Sequence, residues 1–409
     1  MKCTDSVKND FKHAFGHLWS EVSRQLRGRS RGHWLTVVVL IAVGTFLGGK
    51  LGEQNIWIEW RYKIYQSFLQ HVTPRRAHPK RTAMVLIGDQ EYWNGPFARR
   101  YPLKRDLLAQ LLRKIEAANP EVIALDIDLS SPAPLASPDE LVEYRAETLE
   151  LLDAVKAVSR NRTVVLAKGI LDAGHGAGYE LEPAVFDSYD FEGGDVRKGY
   201  ISLPTDVRRV PLAMPLRGGG EHDSLASAIA GAVDERAVED ARAREHDSLP
   251  YGSFIPPEEF VRRSAGEVLA AEPEALRKDL GFKVVILGGA WHKFGLERGP
   301  KNDEHMSPVG AVYGAFIHAN YVEALLDSRT YNPIGERAAV AIEVTISVLL
   351  ALILSLHIRL SAKLVAALIF CLVMMAITYV SWQNLGMFFD FFIPVVLLVV
   401  HVLVEKFRE

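Results

Sequence analysis

Cysteine is nearly absent from this sequence of 409 residues, which contains only Cys3 and Cys371. Neither cysteine falls in the long region between residues 52 and 337. The fold of that region therefore does not depend on disulfide bonds, and tetrathiolate zinc sites are excluded there. A region without cysteine is compatible with a bacterial periplasm but does not identify that compartment.

The sequence also lacks an excess of basic residues and lacks recognisable catalytic motifs. It has 47 Lys and Arg against 50 Asp and Glu, so the chain has no net positive charge to neutralise phosphates, and nucleic acid is not expected as a partner. There is no P-loop, no HExxH pair and no Gly-x-Ser-x-Gly elbow. We therefore predict no catalytic residues, no resident metal and no cofactor.

Long apolar runs occur only at the two ends of the chain. Each run has about the length that a membrane span needs. A cleavable signal peptide is the alternative for the first run, but a long charged segment precedes it and no clean small-x-small site follows, which favours an uncleaved anchor. The sequence thus predicts transmembrane helices at residues 34–51, 338–357, 364–382 and 388–404.

Basic residues indicate which way these spans face. Residues 1–33 form a basic, amphipathic tail that we place in the cytoplasm, where it would lie on the inner leaflet or dock a partner. Four crossings return residues 405–409 to the same side, and the loop with Arg359 and Lys363 also falls inside. The tail brings basic residues to the start of the first span at Arg24, Arg27, Arg29 and Arg31. We therefore expect a multi-pass protein of the bacterial inner membrane whose main domain, residues 52–337, lies in the periplasm.

Short apolar runs alternate with amphipathic stretches in residues 52–337, and this predicts an α/β domain with a largely parallel sheet. We expect residues 171–198 to be a loop or edge insertion and residues 235–247 to be a solvated helix. Residues 57–72 carry aromatic side chains and are expected to form a helix that connects the membrane to the domain. Buried strands are predicted at 83–87, 122–129, 163–167 and 283–287, and helices at 104–118, 146–158 and 313–326.

Polar residues follow several of the predicted strands, at the edge where α/β sheets bind their ligands. A pocket for a small polar ligand or a divalent cation is one interpretation. The other is that Asp89 and Asp126 cap helices or pair with Arg105 inside the fold. The candidates are Asp89, the pair Asp126 and Asp128, and the pair Gly288 and Gly289, together with Arg105 and Arg208.

Two further residues each leave two interpretations open. His318 lies in a predicted helix, either as a hydrogen-bonded structural histidine or as a ligand. Glu343 lies inside the second predicted span, where an ionisable group is costly and faces a partner. It either caps a polar helix face near the headgroups or makes a contact that transmits a signal.

An ordered set of motifs resembles the second type of CHASE domain, a sensor family found in front of bacterial histidine kinases, nucleotide cyclases and serine/threonine kinases. The resemblance covers roughly residues 89–404. Members of that family typically continue into three membrane spans. The motifs are the strand and acidic turn at 85–89, Pro102-x-x-Arg105, the strand ending in Asp126 and Asp128, Asp206-x-Arg208 before Pro211 and Leu212, and the strand at 284–288 followed by His318 and Asn320.

The resemblance implies an extracellular sensor that is not itself an enzyme. Family members usually carry a cytoplasmic catalytic domain after their spans. Here only residues 405–409 follow the last predicted span, so we expect a separate effector or signalling protein as partner, and a homo-oligomer is compatible with this arrangement. The candidate ligand-pocket residues are Asp89, Arg105, Asp126, Asp128, Asp206, Arg208, His318 and Asn320.

Two alternatives remain on sequence grounds. One is a membrane scaffold or pore-forming component of a multi-protein system, such as a defence system. The other is a metal-dependent membrane hydrolase that uses Asp89, Asp126 and Asp128.

Overall fold

The chain divides into two compact units, which are considered separately. The first comprises residues 1–58, 334–383 and 387–409, and the second comprises residues 59–333 and 384–386. Most of the predicted tail, residues 1–33, and most of the predicted connecting helix, residues 57–72, lie outside the described residues. The computed structural model describes residues 24, 30–52, 54, 58–60, 62–63, 78–129, 138–172, 178–245, 247–293, 302–356, 359–386 and 392–408.

Strands occur in the second unit and form one large sheet and several two-stranded ribbons. The strands are β1 Thr82–Gly88, β2 Val122–Asp126, β3 Thr163–Lys168, β4 Ile170–Asp172, β5 Tyr179–Leu181, β6 Val196–Tyr200, β7 Arg209–Pro211, β8 Ala213–Pro215, β9 Glu221–Asp223, β10 Ser248–Pro250, β11 Val261–Ser264, β12 Val284–Ala290, β13 Glu304–Ser307 and β14 Gly310–Tyr313.

Helices occur in both units. The second unit also contains a π-helical turn, Gln90–Asn94, directly after β1, and a short 3-10 turn, Pro257–Glu259. The α-helices are α1 Arg31–Gly52, α2 Arg105–Ala117, α3 Pro138–Ser159, α4 Leu225–Val233, α5 Glu235–Arg244, α6 Ala265–Ala270, α7 Pro273–Leu280, α8 Gly314–Leu326, α9 Glu336–Ser355, α10 Leu360–Leu385 and α11 Phe392–Arg408.

The large sheet has six strands in the order β11-β1-β12-β2-β3-β6, and every pair in it is parallel. All of its strands therefore end at the same edge, which we call the carboxyl edge, and begin at the opposite, amino edge. This confirms the predicted α/β domain with a parallel sheet.

Helices cover both faces of this sheet. Helices α2, α3, α6 and α7 pack in one apolar cluster with alternate residues of the central strands, while α4 and α8 contact the strands from the other side. A parallel sheet covered on both faces needs strands that are apolar throughout. This explains why β1, β2, β3 and β12 appear in the sequence as continuous runs of Val, Ile, Leu and Ala.

Helix α2 illustrates how the sequence specifies this packing. Leu108, Leu111, Leu112 and Ile115 recur at helical spacing and are fully buried on one side of the helix, as predicted. Burying a side chain of this size stabilises the fold by about 1.5–3 kcal/mol. The helix is therefore held mainly by its apolar face.

The two edge strands of the sheet have a different composition. Strand β6 reads VRKGY and β11 reads VRRS, so both edges carry basic side chains. Charged residues on edge strands oppose pairing with other chains. The β4–β5 ribbon and the start of strand β6 overlap residues 171–198, where the sequence predicts a loop or edge insertion. The sequence does not indicate β6 as a strand of the main sheet because an edge strand needs little apolar periodicity.

Other boundaries differ from the predictions in smaller ways. Strand β2 ends at Asp126 rather than at residue 129, and α3 begins at Pro138 rather than at residue 146. Helix α5 agrees with the solvated helix predicted for residues 235–247.

At the amino edge of the sheet, a buried carboxylate binds the backbone where β1 begins. Sequence analysis did not single out this residue. Glu323 of α8 is fully buried, and its oxygens accept hydrogen bonds from the backbone N–H groups of Lys80, Arg81 and Thr82 and from the Thr82 hydroxyl. Buried polar groups are costly unless hydrogen-bonded, and here each partner satisfies the other. Glu323 therefore anchors the start of β1 to α8.

In the first unit, α1, α9, α10 and α11 pack around an apolar cluster. Buried members of that cluster come from all four helices. Large apolar side chains of α10, including Leu368, Ile369 and Val380, are more than half exposed. Helices with apolar side chains on both the packed face and the exposed face are typical of membrane bundles.

Two of these helices are long and apolar enough to cross a membrane by length and composition. They are the stretches Arg337–Ser355 and Leu360–Trp382. The apolar stretches at the first and last helices, Arg31–Leu47 and Val395–Val404, are shorter. All four stretches overlap the predicted spans.

Candidate ligand-binding site

A cavity of about 730 Å³ opens at the carboxyl edge of the sheet. Its lining comes from the segments after β1, β2, β5, β6 and β12, from β13 and from the first half of α8. Ligands of α/β sheets bind at this edge, and the volume suits a small molecule. The lining residues include Tyr92, Leu103, Asp126, Asp128, Glu182, Ile201, Ser202, Leu203, Gly289, Trp291, Asp303, His305 and His318.

Asp126, the last residue of β2, faces His318 of α8 across this cavity wall. The Asp126 Oδ1 and His318 Nε2 atoms are 3.9 Å apart, too far for a hydrogen bond. Burial raises the pKa of the Asp126 carboxyl, and the nearby histidine only partly offsets that effect. His318 is 2% exposed, and its Nδ1 atom has no hydrogen-bond partner among the described residues.

A second histidine and carboxylate pair lies on the same wall. Asp303 Oδ1 is 2.7 Å from His305 Nε2, and Asp303 Oδ2 accepts a hydrogen bond from the Gly314 N–H at the start of α8. Burial alone would raise the pKa of Asp303, but these interactions outweigh it and lower the pKa. Asp303 is thus fixed as a carboxylate, whereas Asp126 is held less firmly.

Aromatic side chains form another part of the wall. The rings of Tyr92 and Trp291 are stacked, with centroids 4.3 Å apart and planes 11° from parallel. A Cβ atom on Gly289 would lie 2.5 Å from the Trp291 ring, so only glycine permits this close approach. The glycine pair that the sequence analysis noted after β12 therefore shapes the cavity through Gly289.

The structure brings together part of the predicted site. Asp126, Asp128 and His318 all line the cavity, as the prediction of a pocket at the strand ends requires. The other predicted pocket residues are not among the residues that line it.

Arg105 is buried beside the cavity, between α2 and α3. Its guanidinium lies 4.3 Å from the centre of the Tyr144 ring and donates a hydrogen bond to the Thr148 hydroxyl. Burial lowers the pKa of Arg105, and the charge of Asp128 is among the effects that oppose this. Arg105 therefore supports the packing of α2 on α3 and interacts electrostatically with one cavity carboxylate.

Asp89 interacts with the segment after β12. Its Oδ1 atom accepts a hydrogen bond from the His292 backbone N–H at 2.8 Å, and its Oδ2 atom is 2.6 Å from His292 Nδ1. Both carboxylate oxygens are thus directed at one residue, and Asp89 holds β1 and β12 together at their ends. The alternative interpretation, a pair with Arg105, is not the contact seen for Asp89 or Asp126.

Asp206 and Arg208 form a separate ionic cluster with Tyr62. The Arg208 guanidinium donates to both oxygens of Asp206, at 2.8 and 2.5 Å, and the Tyr62 hydroxyl donates to Asp206 Oδ1 at 2.7 Å. Burial alone would raise the pKa of Asp206, but the charge of Arg208 and these hydrogen bonds hold it well below the ordinary value of 3.8. The Asp-x-Arg motif therefore secures the segment that contains Tyr62.

Asn320 has a structural contact. Its side-chain amide exchanges hydrogen bonds with the backbone of Ile255, at 2.6 and 3.0 Å, and also donates to the Phe316 carbonyl. Asn320 thus ties α8 to the segment before β11.

Glu343, in α9 of the first unit, is half-buried, and its backbone carbonyl accepts a hydrogen bond from the Ser347 hydroxyl. Its predicted signalling role stays a prediction.

The described residues contain no group of three or more His, Cys, Asp or Glu side chains placed to hold a metal ion. In particular, the Asp89 carboxylate is hydrogen-bonded to His292, and Asp89 does not line the cavity with Asp126 and Asp128. The geometry therefore does not assemble the carboxylates that a metal-dependent hydrolase was predicted to use.

Sequence analysis missed several residues of the cavity, because they come from segments that are far apart in the chain and carry no local signal of a site. Asp303 and His305 had only an Asp-x-His spacing as a signal, and Tyr92 and Trp291 had only their position just after a strand. The other missed residue with a charged side chain is Glu182, which lies near the β4–β5 ribbon.

A family model for the CHASE2 domain matches residues 36–358. The chain belongs to the CHASE2 domain family. The match includes every described residue of the cavity. It extends from within α1 to just past the end of α9, whereas the motif resemblance covers roughly residues 89–404. CHASE2 domains are extracellular sensor domains, which supports a sensor role for this chain. Comparisons with curated proteins and with solved structures gave no match.

Proposed function

We propose that this CHASE2 protein is a membrane-bound sensor that recognises a small molecule in the cavity at the carboxyl edge of its sheet. The observation that carries the proposal is the cavity itself. It lies where α/β sheets bind ligands, and its walls include an incompletely paired carboxylate and histidine, Asp126 and His318. Its domain would face the periplasm of a bacterium.

Polar contacts within the first unit support placing the start of α1 and the ends of α9 and α11 at the same membrane surface. His33 near the start of α1 is 3.0 Å from the Ser355 hydroxyl at the end of α9, and its ring lies 5.5 Å from that of His401 near the end of α11. With four spans and a cytoplasmic N-terminus, all three of these helix ends face the cytoplasm. Grouped polar residues are favourable at a membrane surface and costly inside it.

The output of the sensor would pass through this helix bundle to a separate partner protein. Helix α1 contacts both α9 and α11, so these helices are linked directly. Ligand binding would shift the population between two arrangements of the bundle.

Disulfide cross-linking within the bundle tests this proposal. Ile41→Cys in α1 and Leu350→Cys in α9 replace two members of the same apolar cluster, in a Cys3→Ser, Cys371→Ser background. We expect Gly289→Ala, which displaces Trp291 and reshapes the cavity, to change the cross-linking rate in membranes at least about threefold, equivalent to roughly 0.7 kcal/mol.

Glu239→Ala, at an exposed position of α5, is the matched control and should leave the rate unchanged. Equal cross-linking rates for Gly289→Ala and Glu239→Ala would contradict transmission from the cavity to the bundle.

A further inference from the structure

The charges on the cavity wall have predominantly one sign. Asp126, Asp128, Glu182 and Asp303 all line it, and no described lining residue is Lys or Arg. Asp128 interacts electrostatically with Arg105, and Asp303 is hydrogen-bonded to His305. Asp126 and Glu182 are therefore the carboxylates that we expect to contact a positively charged ligand. A cleft lined by carboxylates concentrates positively charged ligands.

His318 supplies an independent indication of what binds beside Asp126. It is 2% exposed, and its Nδ1 atom is buried without a hydrogen-bond partner among the described residues. Its Nε2 atom and Asp126 Oδ1 are 3.9 Å apart and do not hydrogen-bond to each other, so both remain available to a third group beside them. A ligand that donates hydrogen bonds satisfies the carboxylate and, in the tautomer without a proton on Nε2, the imidazole as well.

The remaining walls favour an apolar body on the ligand. The stacked rings of Tyr92 and Trp291 form one wall, and Leu103, Ile201 and Leu203 contribute aliphatic surface. Aromatic faces attract both apolar groups and cations.

We propose that the cavity binds a small organic amine, with its ammonium group near Asp126 and Glu182 and its apolar part against the Tyr92 and Trp291 wall. This inference rests on the cavity being the ligand site of the proposed function and names the class of ligand. An amine fits better than a metal ion, because the described residues form no cluster of three metal ligands.

Calorimetric titration of the full chain in detergent at pH 7.5 tests this assignment. The probes are phenethylamine, tyramine and 1,5-diaminopentane, with phenylacetate and 2-phenylethanol as the anionic and neutral counterparts of the first. We expect at least one amine to bind and neither counterpart to do so.

Asp126→Asn should weaken amine binding roughly tenfold or more, the usual effect of removing a charged hydrogen-bonding partner. Glu182→Gln should also weaken amine binding. It provides a second test of the proposal if Asp126→Asn does not fold. Glu239→Gln, on the exposed side of α5, is the control and should bind as the unmodified chain does.

The inference is overturned if none of the three amines binds, or if they bind equally to the chain and to its Asp126→Asn and Glu182→Gln variants. It is also overturned if phenylacetate binds and the amines do not. Binding of phenylacetate alone would still show that the cavity is a ligand site and would refute only its assignment to amines. The cross-linking experiment tests signalling separately, because it uses no ligand.

Discussion

The two edges of the parallel sheet use buried polar groups in opposite ways, and one helix, α8, contributes to both. At the amino edge, Glu323 accepts hydrogen bonds from three backbone N–H groups and a hydroxyl. At the carboxyl edge, His318 stands 3.9 Å from Asp126 and has an unsatisfied Nδ1 within the described structure. Saturated hydrogen bonding indicates a structural role, whereas incomplete pairing beside a cavity indicates a place for a ligand.

The Asp206 cluster follows the pattern of the amino edge although its residues belong to a family motif. Its carboxylate is engaged by Arg208 and by the Tyr62 hydroxyl, so little capacity remains for a ligand. Membership of a recurring motif does not by itself distinguish a binding residue from a structural one.

The largest expected effect on stability comes from breaking the amino edge. Glu323→Ala removes the acceptor of several buried donors, and we expect a loss of about 3–5 kcal/mol. Thermal unfolding of the full chain in detergent measures it as a lower midpoint. Glu239→Ala should change stability by less than about 0.5 kcal/mol. Similar midpoints for the two variants would show that the amino edge is not a structural anchor.

A smaller effect with a defined pH dependence is expected for Asp206→Asn. The Asp206 side chain is 26% exposed, so we expect a loss of about 2 kcal/mol at pH 7. Because the folded-state pKa of Asp206 lies below its ordinary value of 3.8, its stabilisation is present above pH 3.8 and declines as the pH falls below that value. Unfolding midpoints of chain and variant should therefore converge in acid. A difference that stays constant from pH 7 to pH 3 would contradict the ionic role.

The smallest effect is expected at the carboxyl edge, with the opposite dependence on pH. Burial raises the folded-state pKa of Asp126 above 3.8, so its contribution is fully present below pH 3.8 and is lost as the pH rises through the folded-state pKa. Asp126→Asn should therefore be neutral, or more stable by up to about 1 kcal/mol, at pH 8. This advantage should disappear in acid. A clear destabilisation at pH 8, like that of Asp206→Asn, would show that Asp126 has a structural role as Glu323 and Asp206 do.

The sequence allowed the centre of the fold to be predicted better than its margins. Strands β1, β2, β3 and β12 are buried on both faces, so burial alone imposes runs of apolar residues that are visible in the sequence. Strands β6 and β11 lie at the edges, where neighbours on one side are missing and Arg and Lys are tolerated. Their pairing depends on tertiary contacts and leaves no local pattern.

The site shows the same limit. Asp126, Asp128 and His318 were predictable because strand ends and the motif order point to the carboxyl edge. Asp303 and His305 approach them only through the β13–β14 ribbon, whose position no local pattern reveals. Conversely, Asp89, Arg105, Asp206, Arg208 and Asn320 have the residue types of a polar site, but their partners are supplied by the fold itself.

The place of β1 in the sheet has a consequence for how the domain is made. Its two neighbours are β11 and β12, and Met84 pairs with Arg262 on one side and with Ile286 on the other, so roughly 200 residues of chain are synthesised between partners. Contacts between such distant segments slow folding. Strand β1, an interior strand of the sheet, therefore remains unpaired on both sides until β11 and β12 have been synthesised, and the domain is most vulnerable to aggregation and proteolysis before that point.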